Sequence, residues 1–175
     1  MKSKGVILGI ILLSALLVIV FAVNRQEAPR SKAMVGLSAP ELVLHDESGK
    51  KYTLSDLKGS VVFLNFWATW CPPCREEMPS IQNLYRQLKD QKGFRMITIL
   101  YRDDYEKAKK FMSDNHYEFP VLMDNRERTA DSYGVTGVPE TYLVDKKGVL
   151  RERVIGPAEW SSPQVVSLIS GLIKE

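Results

Sequence analysis

The chain holds only two cysteines, and they stand in Trp70-Cys71-Pro72-Pro73-Cys74, between an apolar run at 61–66 and a helical pattern at 75–88. A Cys-x-x-Cys pair at a strand-to-helix junction is the arrangement of a dithiol–disulfide switch. Where a helix begins, unpaired backbone N–H groups and the positive end of the helix dipole favour the thiolate of Cys71. Cys74, three residues on, is near enough to close a disulfide after Cys71 has attacked a substrate. Pro72 and Pro73 lack N–H groups, so the first amide within the motif able to reach the Cys71 sulfur is that of Cys74, a weaker support than a donor-rich spacer. A purely structural bridge would close a very short loop, which the chain-entropy account rewards little. A four-cysteine zinc site is impossible with two cysteines, and His45 and His116 stand far apart in sequence. The expected redox centre is the Cys71–Cys74 pair itself, with no cofactor and no metal.

The length of 175 residues allows one ordinary domain plus something extra, and the extra is at the front. Residues 1–5 form a basic start, and 6–23 are apolar apart from Gly9 and Ser14. That run suits a bilayer span and exceeds the roughly 7–15 apolar residues of a cleaved signal peptide. It reads as a retained signal-anchor, with cleavage after Val20-Phe21-Ala22 as the competing view. Lysines ahead of the span put the N-terminus in the cytoplasm and the rest of the chain outside it, as a single-pass protein of the cytoplasmic membrane. No cysteine stands directly after the run, which excludes a lipid-modified anchor of the bacterial lipoprotein type. Outside the cytoplasm disulfides persist, so a dithiol there is an oxidant or is kept reduced by a dedicated electron supply. The net charge of +3 comes from interleaved signs, without the basic stripe of a nucleic-acid binder.

Residues 24–38 are polar and aperiodic and read as a linker; 39–175 read as one domain. A hairpin is expected from 41–44 and 51–53, then a short helical turn capped by Ser55. The run 61–66 is apolar on both faces, as for the centre of a covered sheet. Met78, Ile81, Leu84, Tyr85 and Leu88 give helical spacing, with Pro79 expected to kink that helix. There follow a strand at 94–101, a helix at 104–116, an extended piece at 120–123 and a helical turn at 126–133. A hairpin of 141–144 with 149–154 and a closing helix at 161–173, capped by Ser161 or Ser162, complete the chain. The order implies an α/β fold with a mixed sheet covered by helices on both faces.

From residue 39 to the end, the chain resembles the thioredoxin fold, and specifically its membrane-anchored TlpA/ResA/DsbE-like branch. The residues that carry the likeness are Asn65 through Cys74, then Glu77 and Pro79, and later Gly137-Val138-Pro139-Glu140-Thr141 running on to Asp145. The resemblance implies extracytoplasmic thiol–disulfide exchange, a cis Val138–Pro139 bond and a Pro139 that faces the cysteines. It makes Cys71 the nucleophile and Cys74 the resolving thiol. Thioredoxins proper carry a buried acid six residues before the first cysteine. Here that position is Asn65, which cannot exchange a proton, and this branch instead has a glutamate at Glu77. Glu77, on the same helix face as Cys74, is thus expected to shuttle its proton, the alternative being an ordinary surface glutamate like Glu76. Trp70, Pro72, Pro73, Val138, Pro139 and Glu140 are expected to border the substrate groove, Val138 offering its backbone to a substrate strand. For Glu140 a solvated strand end is the competing view, and for Trp70 simple packing; Trp67 is expected in the core. His45 and His116 read as surface or loop residues.

The leading expectation is an anchored reductant for protein disulfides, above all the Cys-x-x-Cys-His haem sites of apocytochrome c, supplied by a membrane thiol–electron donor. A reductant for copper-site assembly or disulfide repair is the alternative within the fold. A Cu(I) metallochaperone would use the same cysteines, although only Met78 stands nearby as a further soft ligand. A peroxidase would need a Pro-x-x-x-Thr-x-x-Cys approach, where this chain has Trp70-Cys71.

Overall fold

The computed structural model describes residues 33–124 and 128–175. The chain divides into the units Met1–Arg30 and Ser31–Glu175. The first, with the expected anchor, lies outside the described residues. Among the described residues no helix is long and apolar enough to cross a membrane.

Seven strands form one mixed sheet in the order β2-β1-β5-β4-β3-β6-β7. They are β1 (Val43–His45), β2 (Lys51–Thr53), β3 (Val61–Trp67), β4 (Phe94–Leu100), β5 (Val121–Met123), β6 (Glu140–Val144) and β7 (Leu150–Ile155). β3 pairs in parallel with β4 and antiparallel with β6, so it is interior and wholly buried. Its alternation divides the core. Val61, Phe63 and Trp67 join a cluster built with α1 (Pro72–Leu88), α2 (Tyr105–Asp114) and α4 (Pro163–Lys174). Val62, Leu64 and Phe66 join the opposite cluster with β1, Tyr142 and α3 (Arg128–Tyr133). Helices therefore cover both faces, as expected.

Met78, Ile81, Leu84 and Leu88 of α1 are fully or almost fully buried against β3 and β4. Each contributes roughly 1.5–3 kcal/mol of hydrophobic stabilisation, so α1 is held by its buried stripe rather than by propensity. α1 runs on through Pro79 as one helix. The caps of the later helices follow side-chain chemistry: Asp104 accepts from the Lys107 amide, and Ser162 accepts from Val165 with Pro163 in the first turn. Ser161 is not a cap; its hydroxyl is held by Glu159.

Three expectations are corrected. The turn at Ser55–Leu57 takes Leu54, not Ser55, as its cap residue. Thr53 Oγ1 accepts the Asp56 amide instead, while the Leu54 and Ser55 amides go to Glu41. The end of the linker belongs to the domain, because Gly36 and Ala39 donate to the carbonyls of Leu150 and Gly148 at 2.8 Å, and Ser38 bridges Val149. Those bonds satisfy part of the β7 edge, and Ala33 is buried. His45 is neither loop nor free surface: it lies in β1 opposite Lys51, half-buried.

Candidate active site

β3 ends beside β4 and β6, and the turn after it must bring the chain into α1. Asp103, just past the end of β4, secures that turn: one of its oxygens accepts both the Thr69 amide and the Thr69 hydroxyl at 2.6 Å. The Trp70 indole donates to the Arg102 carbonyl at 3.1 Å, which leaves its ring 55% exposed beside the motif. Trp67 is fully buried, with its indole N–H on Thr98.

Cys71 takes the N-cap position of α1 with extended backbone, and Pro72 and Pro73 fill the first helical positions. Its sulfur accepts from the Cys74 amide at 3.2 Å, the one donor that the two prolines leave within the motif. Cys71 and Cys74 are joined as a disulfide, with Cα atoms 5.3 Å apart. Both are shielded: Cys74 is fully buried and Cys71 is 2% exposed. The Val138–Pro139 bond is cis, and the Val138 carbonyl lies 3.4 Å from the Cys71 sulfur. The loop before β6 thus brings the Val138 carbonyl, just ahead of Pro139, up to Cys71.

Glu77 is no surface residue. It is 3% exposed, and three neutral donors face its carboxylate. Asn65 Nδ2 lies 2.9 Å from one oxygen; Trp160 Nε1 at 2.9 Å and the Ala158 amide at 3.1 Å share the other. Asn65 occupies the helix-facing row of β3 and donates also to Thr141 across the β3–β6 pair. Burial pushes the Glu77 carboxyl above its ordinary value, while the Trp160, Asn65 and Ala158 bonds act in the other direction. A carboxyl so placed can gain or lose a proton closer to neutral pH than a surface glutamate.

Glu140 corrects both of its readings. It is 2% exposed, so it is no solvated strand end. Nor does its side chain border the cysteines, because it lies on the face opposite α1, bonded to Tyr142 and to Arg153 Nε at 2.6 Å. Only its backbone stands next to Pro139.

The sequence reading missed Asp103, Thr141, Ala158 and Trp160. Asp103 could have been flagged as one of two acids directly after a strand that ends beside β3. Trp160 carries no such signal, since its contact with Glu77 spans 83 residues of sequence. A cleft of about 640 Å³ opens past β4 and β5, with Arg102, Asp103 and Asp124 in its wall. Neither cysteine lines it, whereas Trp70 and Pro72, which flank Cys71 in sequence, are exposed. Among the described residues no group of three or more His, Cys, Asp or Glu side chains is placed to hold a metal ion.

The AhpC/TSA family model matches residues 35–153. The thiol-disulfide oxidoreductase ResA of Bacillus anthracis is 40% identical over 129 residues, 74% of each chain. ResA of Bacillus subtilis (strain 168) is 37% identical over 133 residues, 76% of this chain and 74% of that one. Among solved structures, a Chlorobium tepidum protein assigned as the thiol:disulfide interchange protein DsbE superposes with a TM-score of 0.66 at 31% identity, covering 82% of this chain and 97% of that one. With a family match over most of its length and its cysteine pair set on a thioredoxin-like sheet, the chain belongs to the AhpC/TSA family, as a thiol–disulfide oxidoreductase.

Proposed function

We propose that the protein is a membrane-anchored, extracytoplasmic reductant of disulfides in exported proteins, and that its principal targets are the Cys-x-x-Cys-His sites of apocytochrome c. The observation that carries the reading is Glu77: a buried carboxyl one turn beyond Cys74, held by neutral donors and raised above its ordinary value. The likeness to the DsbE-like branch at Asn65 and Glu77 supports the substrate class, and the apolar run 6–23 supports the placement. Haem attachment needs free thiols, which an oxidising compartment removes.

In the reduced protein, the Cys71 thiolate attacks one sulfur of the substrate disulfide. A mixed disulfide forms, and the first substrate thiolate leaves. The substrate strand lies beside the Val138 backbone, with Trp70, Pro72, Pro73 and Pro139 around it. Glu77 carboxylate takes the proton of Cys74, whose thiolate then attacks the Cys71 sulfur. The second substrate thiolate is released, and Cys71–Cys74 closes. Two electrons have passed to the substrate, and a membrane thiol–electron donor supplies two more that reduce the Cys71–Cys74 pair again.

Cys74→Ala removes the resolving thiol and stalls the reaction at the mixed disulfide through Cys71. Mass spectrometry of the trapped species from the full-length, membrane-inserted chain is expected to identify apocytochrome c. Capture of a copper-assembly protein, or of a broad set of exported proteins, would move the function to those substrates. No capture at all would sink the reductant reading and favour direct Cu(I) binding.

A further inference from the structure

We propose that Trp160 is a positioning residue for Glu77: its indole N–H, seconded by the Ala158 amide, holds the carboxylate and sets the pH at which Glu77 trades its proton. The inference rests on the proton-shuttle reading above and assigns the part of the fold that tunes it, the segment 156–162 between β7 and α4.

Two of the three donors to Glu77 come from this segment, and both fall on one oxygen. A buried indole N–H needs an acceptor, and for Trp160 that acceptor is the carboxylate. Trp160 itself has little freedom. Its backbone N–H donates to Ser80 Oγ at 3.1 Å, and Ser80 lies one turn beyond Glu77 on α1. Its ring meets Phe63 edge-on at 5.0 Å, beneath the sheet, and it is 2% exposed. The start of the segment is tied down as well, because Gly156 donates to the Pro139 carbonyl at 2.9 Å. One short connection therefore touches both Pro139, the residue after the Val138 carbonyl that meets Cys71, and the carboxyl one turn past Cys74.

The charge environment leaves the tuning to these neutral groups. From β3 the carboxyl meets Asn65, which donates in turn to Thr141 of β6, and both are uncharged. Arg75 and Glu76 of α1 are exposed. Glu159 is exposed and engaged by Ser161, and Glu140 of β6 lies on the other face of the sheet. The remaining titratable neighbours on α1 are Cys71 and Cys74, which do not titrate while oxidised. An N–H donor favours the ionised carboxylate, so its removal makes Glu77 hold its proton more tightly.

The experiment uses the oxidised full-length chain labelled with ¹³C at glutamate carboxyls, Glu77 being assigned by the signal lost in Glu77→Gln. In Trp160→Phe the Glu77 titration is expected at higher pH, with proton affinity increased on the order of tenfold, as for loss of one bond to a charged acceptor. Trp160→3-benzothienylalanine, which keeps the bicyclic shape and deletes only the N–H, is expected to give the same shift if the phenylalanine variant folds poorly. An unmoved titration in the folded benzothienyl variant would overturn the proposal. The pH profile of disulfide exchange is then measured in both backgrounds: Trp160→Phe should move it in the parent and leave it unmoved in Glu77→Gln. An equal shift in both backgrounds would also overturn the proposal. A moved titration with no matching limb in the exchange profile supports the positioning role while sinking the shuttle.

Discussion

Two glutamates are buried in this domain to nearly the same degree, Glu77 at 3% and Glu140 at 2% exposure, on opposite faces of one sheet. Glu140 is met by the Arg153 guanidinium at 2.6 Å and by the Tyr142 hydroxyl. Glu77 is met by an amide, an indole and a backbone N–H, all neutral. A cation matches the charge of a carboxylate, whereas neutral donors only offset part of its desolvation. The difference separates a carboxylate that closes the fold from one that can serve as a proton carrier. It also shows why burial alone is a poor guide to function: the partner's charge decides.

The comparison breaks most visibly at Arg153. Arg153→Met leaves Glu140 buried without its cation and is expected to cost about 3 kcal/mol, the low end for a broken buried pair because the arginine side chain is 32% exposed. Denaturant unfolding measures it, and the disulfide-exchange rate of the folded fraction should stay at the parent value. A large loss of exchange rate at full occupancy of the folded state would deny that Glu140 is purely structural.

Glu77→Gln tests the other side. Exchange at neutral pH is expected to fall on the order of a hundredfold, the lower end for loss of a general acid–base group. Its effect on stability has a definite sign. The folded-state carboxyl is raised above the ordinary 4.5, so its contribution is fully present below that value and is lost as pH rises through the folded value. The stability of the parent relative to Glu77→Gln should therefore decline over the pH range that runs upward from the ordinary 4.5. Unfolding midpoints taken across that range would contradict the assignment if the difference stayed flat or grew.

Much of this arrangement was legible beforehand, and the illegible part has a common cause. The apolar run of β3, the helix with Met78, Ile81 and Leu84, the hairpin over Lys146-Lys147-Gly148 and the motif at Cys71 are local patterns of period two or 3.6, and each lies within a few residues of its expected bounds. The likeness to a known family supplied the cis bond before Pro139. The failures involve partners remote in sequence or competing local bonds. Glu140 was misread because Arg153 reaches it only across the β6–β7 pair, and Trp160 was passed over because its acceptor sits in another element. Leu54 takes the cap position expected of Ser55, and the Asp56 amide goes to the Thr53 hydroxyl, since either hydroxyl suits that turn.

Asn65 allows the comparison to be sharpened without touching either glutamate. Asn65→Asp replaces a neutral donor 2.9 Å from Glu77 with a second acid. Two carboxyls at that distance cannot both ionise readily, so the pair should titrate in two steps, one of them raised. The exchange profile should gain a second limb, with neutral-pH exchange changed by on the order of tenfold. A profile with a single limb at the parent's position would mean that the Asn65 site is not in contact with the proton that matters.

The smallest effect is expected at Tyr142, and it probes how the structural glutamate is held. The Tyr142 hydroxyl lies 2.6 Å from Glu140 and 2.9 Å from the Tyr133 carbonyl, yet has one proton for the two acceptors. Burial, then the bond to Glu140, pushes the Tyr142 phenol well above its ordinary value, so the hydroxyl keeps that proton throughout the working range. Its ring is independently anchored by edge contacts with Tyr133 and Phe66. Tyr142→Phe thus removes a bond while keeping the packing, and the expected cost is about 1 kcal/mol. Arg153 still satisfies the same Glu140 oxygen, so the cost should stay well below that of Arg153→Met. If the two losses were equal, the hydroxyl rather than the guanidinium would be the partner on which the buried carboxylate depends. The contrast between the two glutamates would then rest on hydrogen bonding alone, not on charge.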